Sequence, residues 1–144
     1  MSAPSTVSPQ LSVKRGRAAV EFYKQAFAAV EDYRVGGTDE HESVVAQLSV
    51  EGSSFWVSDE SPEHLHFSPE TLGGTTTRIL VIVEDPRATS ERAVAAGAKE
   101  IYPVTEEHDW LLGRIEDPFG HQWEIGKPLV PWPPLSGRPR AQRD

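Results

Sequence analysis

Shifted by 70 positions, the chain matches itself, and this repeat constrains its fold more than any other feature. Val13 falls on Val83, Arg17 on Arg87, Ala18 on Ala88, Glu21 on Glu91, Ala26 on Ala96 and Ala28 on Ala98. Further on, with two residues lost, Gly52 to Val57 falls on Gly120 to Ile125. A single internal duplication means two copies of one supersecondary unit rather than a long solenoid.

Each copy reads as a strand, a helix and then three strands. In the first copy, residues 10–13 are extended. Residues 17–30 carry Ala19, Phe22, Tyr23, Ala26, Phe27 and Val30 on one helical stripe. Strands follow near 29–35, 43–50 and 53–58. In the second copy, 76–83 is rich in β-branched residues. Asp85-Pro86 supplies an N-cap and a proline at the first helical position, and Gly97 ends the helix. Strands near 99–104, 111–116 and 121–126 complete a second βαβββ unit. The fold class is therefore α+β, with modules at 8–58 and 76–127 in one domain spanning 8–127. Residues 59–75 lack periodicity and read as a linker loop, and 128–144 is a proline- and arginine-rich tail. Arg17 and Arg87 open the two helices against the helix dipole, so their ends need partners from elsewhere in the fold.

Charge and composition narrow the function. A net charge of -8 argues against nucleic-acid binding, which needs clustered Lys and Arg to neutralise phosphates. With no cysteine, thiolate nucleophiles, disulfides and cysteine-bound zinc are excluded. No apolar run approaches the roughly 20 residues of a membrane span. The start lacks a signal-peptide pattern, which points to a cytoplasmic protein. No strand-to-helix nucleophile elbow is present, so Ser-His-Asp catalysis is set aside. His64 and His66 sit near Glu60 and Glu63 in the linker, a spacing that suits either a metal or an exposed loop.

The segment Asp117-Pro118-Phe119-Gly120-His121-Gln122-Trp123-Glu124-Ile125 reads as a turn feeding a strand. Strand alternation sets Glu124 on the opposite face from Trp123 and Ile125. It is either a sheet-surface charge or a carboxylate facing a cavity. Trp110 and nearby His108 precede a strand carrying Arg114 and Glu116. Trp110 suits the wall of a cavity mouth and core filling equally.

Together with the doubled βαβββ order, this segment and Ala19-Val20-Glu21-Phe22-Tyr23-Lys24-Gln25-Ala26-Phe27 resemble the vicinal oxygen chelate superfamily. That superfamily includes glyoxalases, bleomycin-resistance proteins and ring-cleaving dioxygenases. The resemblance leans towards its PhnB-like and bleomycin-resistance branches. It implies two modules curling into a cupped half-barrel, commonly in homodimers. In metal-dependent members, ligands come from the first and last strands of each copy. Those positions carry over to Ser8, Trp56, Arg78 and Glu124. An arginine offers a metal no lone pair and repels a cation, so the resemblance implies a cavity with no metal and no cofactor. On this reading Arg78 grips an anionic group, Glu124 a cation or donor, and Trp56 stacks a planar group. Trp110 and Ser8 complete the expected ligand set. The alternative is a metal-independent isomerase or lyase with Glu124 as general base and Arg78 steadying an oxyanion. A metal-dependent glyoxalase or dioxygenase is a third reading, should the ligands lie elsewhere.

Overall fold

The computed structural model of the chain describes residues 3–39 and 41–134. The chain divides into two compact units, the first ending at Gly74 and the second beginning at Thr75. Among the described residues, no helix is long and apolar enough to cross a membrane.

The first unit runs β1 (Gln10–Val13), α1 (Gly16–Phe27), β2 (Val30–Gly36), β3 (Val44–Val50) and β4 (Ser53–Asp59). Its sheet has the order β1-β4-β3-β2, with β1 parallel to β4 and the other pairs antiparallel. The second unit repeats this with β5 (Arg78–Ile82), α3 (Pro86–Ala95), β6 (Lys99–Glu107), β7 (Trp110–Glu116) and β8 (Gln122–Pro128), ordered β5-β8-β7-β6. Register confirms the sequence repeat. Gln10 faces Trp56 in the first sheet as Leu80 faces Glu124 in the second.

One face of each sheet is sealed by its helix. In the first unit Val13, Val44, Ala46, Leu48, Phe55 and Val57 are buried with Ala19, Val20, Tyr23 and Ala26 of α1. Tyr23 meets Phe55 edge-on at 5.5 Å. In the second, Ile115, Trp123 and Ile125 are buried with Ala93 of α3. Each large apolar side chain so buried contributes roughly 1.5–3 kcal/mol.

Helix α1 stops at Phe27, short of the expected residue 30, because Ala28 takes a left-handed conformation (φ 55°). Val30 therefore leaves the helical stripe and starts β2 on the exposed side. Strand β6 runs three residues past its expected end. The irregular pairing between Tyr102 and Thr105 accommodates Pro103, and His108 and Asp109, both at positive φ, form a tight hairpin turn. Trp110 is consequently the first residue of β7 rather than part of a preceding loop. Residues 59–75 are more ordered than a bare linker. Asp59 closes β4, a 3-10 turn covers Pro62–His64, and α2 (Pro69–Leu72) is capped by Ser68. Glu60 ties this segment together, accepting from the Ser68 N–H at 2.9 Å and the Thr71 hydroxyl at 2.8 Å. Those bonds, the Ser68 N–H first, hold its carboxyl below the usual range. The arginines of the tail lie outside the described residues.

The helix starts find their partners differently in the two copies. Asp85 caps α3 locally, accepting from Ala88 N–H at 3.1 Å. Arg15 occupies the corresponding position before α1 and cannot cap. Instead Asp59 reaches over from β4, its two oxygens accepting from Gly16 N–H (3.0 Å) and Val44 N–H (2.7 Å). The residue corresponding to Asp59 in the second unit is Lys127, which reaches the Glu84 carbonyl at 3.2 Å. Carboxylate and cation have exchanged places between the copies.

Candidate functional site

The turn before β8 explains why its sequence stands out. Asp117 is buried, and its Oδ1 accepts from the backbone N–H groups of Phe119 and His121, both at 2.9 Å. Its Oδ2 accepts from Trp123 Nε1 at 2.9 Å. Gly120, at φ 95°, closes the turn. Trp123 is thereby locked into the core, and strand alternation turns Glu124 to the open face.

On that face the second sheet presents a row in register across all four strands: Leu80, Glu124, Arg114 and Tyr102. Arg78 Nε donates to Glu124 Oε1 at 2.5 Å. Arg114 Nη2 lies 4.0 Å from the same oxygen, and its guanidinium carbon sits 5.4 Å from the Tyr102 ring centre. The Arg114 Nε is buried without a hydrogen-bond partner, so the guanidinium is held by its aromatic and ionic neighbours. Glu124 is 20% exposed and Arg78 56%, which makes Arg78 the more accessible cation.

Beside this row a cavity of about 260 Å³ is lined by Leu80, Glu107, His108, Trp110, Leu112 and Glu124. A second hollow of about 370 Å³ shares Glu107, Leu112 and Glu124 and extends to Arg114, Tyr102 and Thr105. The two form one cleft with an apolar wall of Leu80, Leu112 and Trp110 and a charged floor. Trp110 thus lines a cavity rather than filling the core.

Arg78, Glu124 and Trp110 all lie in the second unit, and Ser8 and Trp56 in the first. In the first unit the corresponding row is Gln10, Trp56, Gln47 and Tyr33. Trp56 meets Tyr33 edge-on at 6.1 Å. Ser8 precedes β1, its hydroxyl 3.1 Å from that of Ser54. This row of the first unit is therefore amide and aromatic with a hydroxyl pair beside it, where that of the second carries the ion pairs. Sequence reasoning passed over Arg114, Tyr102 and Leu80 as site residues. The recurrence of tyrosine at Tyr33 and Tyr102, at the same place in the row, was the available signal.

The residues at the carried-over ligand positions do not suit a divalent ion. Glu124 is the single carboxylate among them, and its Oε1 accepts from one guanidinium while a second stands close. Trp56 offers no lone pair, and Ser8 only a neutral hydroxyl. Among the described residues no group of three or more His, Cys, Asp or Glu gathers elsewhere either, the His64–His66 segment included.

A βαβββ unit with one helix-covered sheet face and one open face, present twice, defines the vicinal oxygen chelate fold. Residues 10–126 match the glyoxalase-like domain family, and the chain belongs to it. The uncharacterized protein Mb0911c of Mycobacterium bovis is 36% identical over 128 residues, covering 85% of this chain and 83% of its own. The crystal structure of the At5g48480 gene product of Arabidopsis thaliana superposes with a TM-score of 0.67 at 31% identity, over 87% of this chain and 100% of that one. The fosfomycin resistance protein FosX of Listeria monocytogenes gives a TM-score of 0.66 at 17% identity, over 95% and 99% of the two chains, a likeness of fold alone.

Proposed function

We propose that the cleft on the open face of the second unit binds or sequesters a small polar or aromatic molecule through organic contacts, without a metal. The observation that carries this reading is the placement of Glu124. It is clamped between Arg78 and Arg114 at the floor of a cleft whose wall is Trp110, Leu80 and Leu112. Concave sites with an apolar wall and a few converging polar groups are the usual form of small-molecule pockets.

The parts divide the work of recognition. Arg78, its side chain 56% exposed, can take a ligand carboxylate or phosphate in fork geometry. Glu124 offers its second oxygen to a donor or cation, and the Trp110 indole offers a flat face. On the first unit's own sheet, Trp56 offers a stacking surface and Ser8 a hydroxyl. The general-base alternative receives less support. The Oε1 of Glu124 is already committed as acceptor to Arg78, which leaves only its second oxygen to take a substrate proton.

The test is a fragment screen by NMR on the full chain, with hits mapped by the Trp110 indole signal. Compounds that perturb Trp110 and lose binding in Arg78→Ala support the reading. Hits whose affinity is unchanged in that variant would refute it.

A further inference from the structure

We propose that Trp132 is a positioning residue of this cleft, and that residues 129–134 form a strap fixing Trp110 as the wall for a planar aromatic ligand. The inference rests on the cleft being the binding site. It adds a part lying beyond residue 126, where the family match ends.

Three observations meet here. The chain leaves β8 at Pro128, which lies directly opposite Trp110 in the register of β7 and β8. Immediately afterwards, the Leu129 N–H donates to the Asp109 carbonyl at 2.8 Å. That anchors the departing chain to the tight turn that delivers Trp110. The Trp132 ring then packs edge-to-face on the Trp110 ring, with centroids 5.2 Å apart and planes at 75°.

This geometry has a consequence for binding. Trp110 opens β7 directly after a tight turn, and an indole there samples several rotamers unless something holds it. An edge-to-face partner holds it, so a ligand entering between Trp110, Leu80 and Leu112 meets a wall already in place. Binding to a fixed surface forgoes the ordering of a large side chain. Trp132 itself is 55% exposed and lines none of the cleft described above, so burial in the core does not account for it. Its contact with Trp110 does.

The probe is anilinonaphthalene sulfonate, which combines a fused aromatic body for the wall with one anionic group for Arg78 or Arg114. Its affinity is measured by calorimetry for the full chain and for Trp132→Ala, Trp132→Phe and Trp110→Ala. In parallel, fluorotryptophan is incorporated and read by fluorine NMR, resolving Trp56, Trp110, Trp123 and Trp132. The expected result is roughly 3- to 10-fold weaker binding in Trp132→Ala, the range an aromatic pair accounts for, with an unchanged melting temperature. The Trp110 resonance should move while that of core Trp123 stays in place, and Trp132→Phe should recover most of the affinity. If Trp132→Ala binds like the parent while Trp110→Ala does not, the strap is refuted and the cleft stands. If the parent takes up no probe, or if Trp110→Ala binds it equally, the cleft reading fails. In that event the Trp110 resonance in Trp132→Ala still decides positioning: an unmoved signal overturns it.

Discussion

The Nε of Arg78 donates to Oε1 of Glu124 over 2.5 Å, while Nη2 of Arg114 waits 4.0 Å from the same oxygen. One carboxylate thus stands between two cations, and the tighter contact goes to the more exposed of them. A ligand anion that draws Arg78 away leaves Glu124 with a second partner at hand, so the carboxylate is not stranded without a cation. For this reason Arg78→Ala should separate binding from stability. An ion pair this exposed contributes only about 0–1 kcal/mol to folding, yet ligand affinity should fall at least about tenfold, as for a lost charged hydrogen bond. Calorimetry and denaturant melts on the same samples check both halves.

Asp117 should be the residue whose loss costs most outside the apolar core. Its carboxylate satisfies two backbone N–H groups and the Trp123 indole at once. Asp117→Ala strands these buried donors and should cost about 3 kcal/mol or more, read as a shift in the urea midpoint. A loss below about 1 kcal/mol would show that the turn holds without it.

Gly16 is required by the borrowed cap of α1. A Cβ there would lie 2.4 Å from Val44 Cγ1 and 2.6 Å from Asp59 Oδ2, pushing the carboxylate off the helix start. Gly16→Ala should destabilise by roughly 1–3 kcal/mol from the overpacking, despite alanine's better helix propensity. Asp59→Asn should cost about 1 kcal/mol. A stabilised Gly16→Ala would contradict the cap.

Glu60 should make the segment before the second unit sensitive to acid. Its carboxyl is depressed below the ordinary 4.5, so the stabilisation is complete above that value and is lost as pH falls through the folded pKa. Exchange of the Ser68 amide should accelerate relative to the α1 amides as pH falls below the ordinary 4.5. Glu60→Gln should remove that pH dependence, and an unchanged profile in the variant would count against it.

Much of this was legible in the residues. Period and capping signals located α3 from Asp85-Pro86 to the end before Gly97, and the repeat paired Trp56 with Glu124 as the register does. Strand alternation correctly turned Glu124 away from Trp123. Elsewhere the decisive physics was tertiary or rested on uncommon turn chemistry. Nothing local announces that His108 and Asp109 both adopt positive φ, so the sequence pattern ends β6 at Val104 and leaves Trp110 in a loop. The Asp59 cap joins residues 43 positions apart, beyond any capping pattern. Arg114 reads as one more surface charge until β7 is laid against β8, where it faces Glu124.

The claim that Glu124 serves organic recognition is tested most directly by titrating chelator-treated protein with Mn²⁺, Ni²⁺ and Zn²⁺ in a calorimeter, alongside Glu124→Gln. A carboxylate held by arginines predicts no one-to-one site that depends on Glu124, and indistinguishable isotherms for the two proteins. A stoichiometric metal site present in the parent and abolished by Glu124→Gln would contradict it.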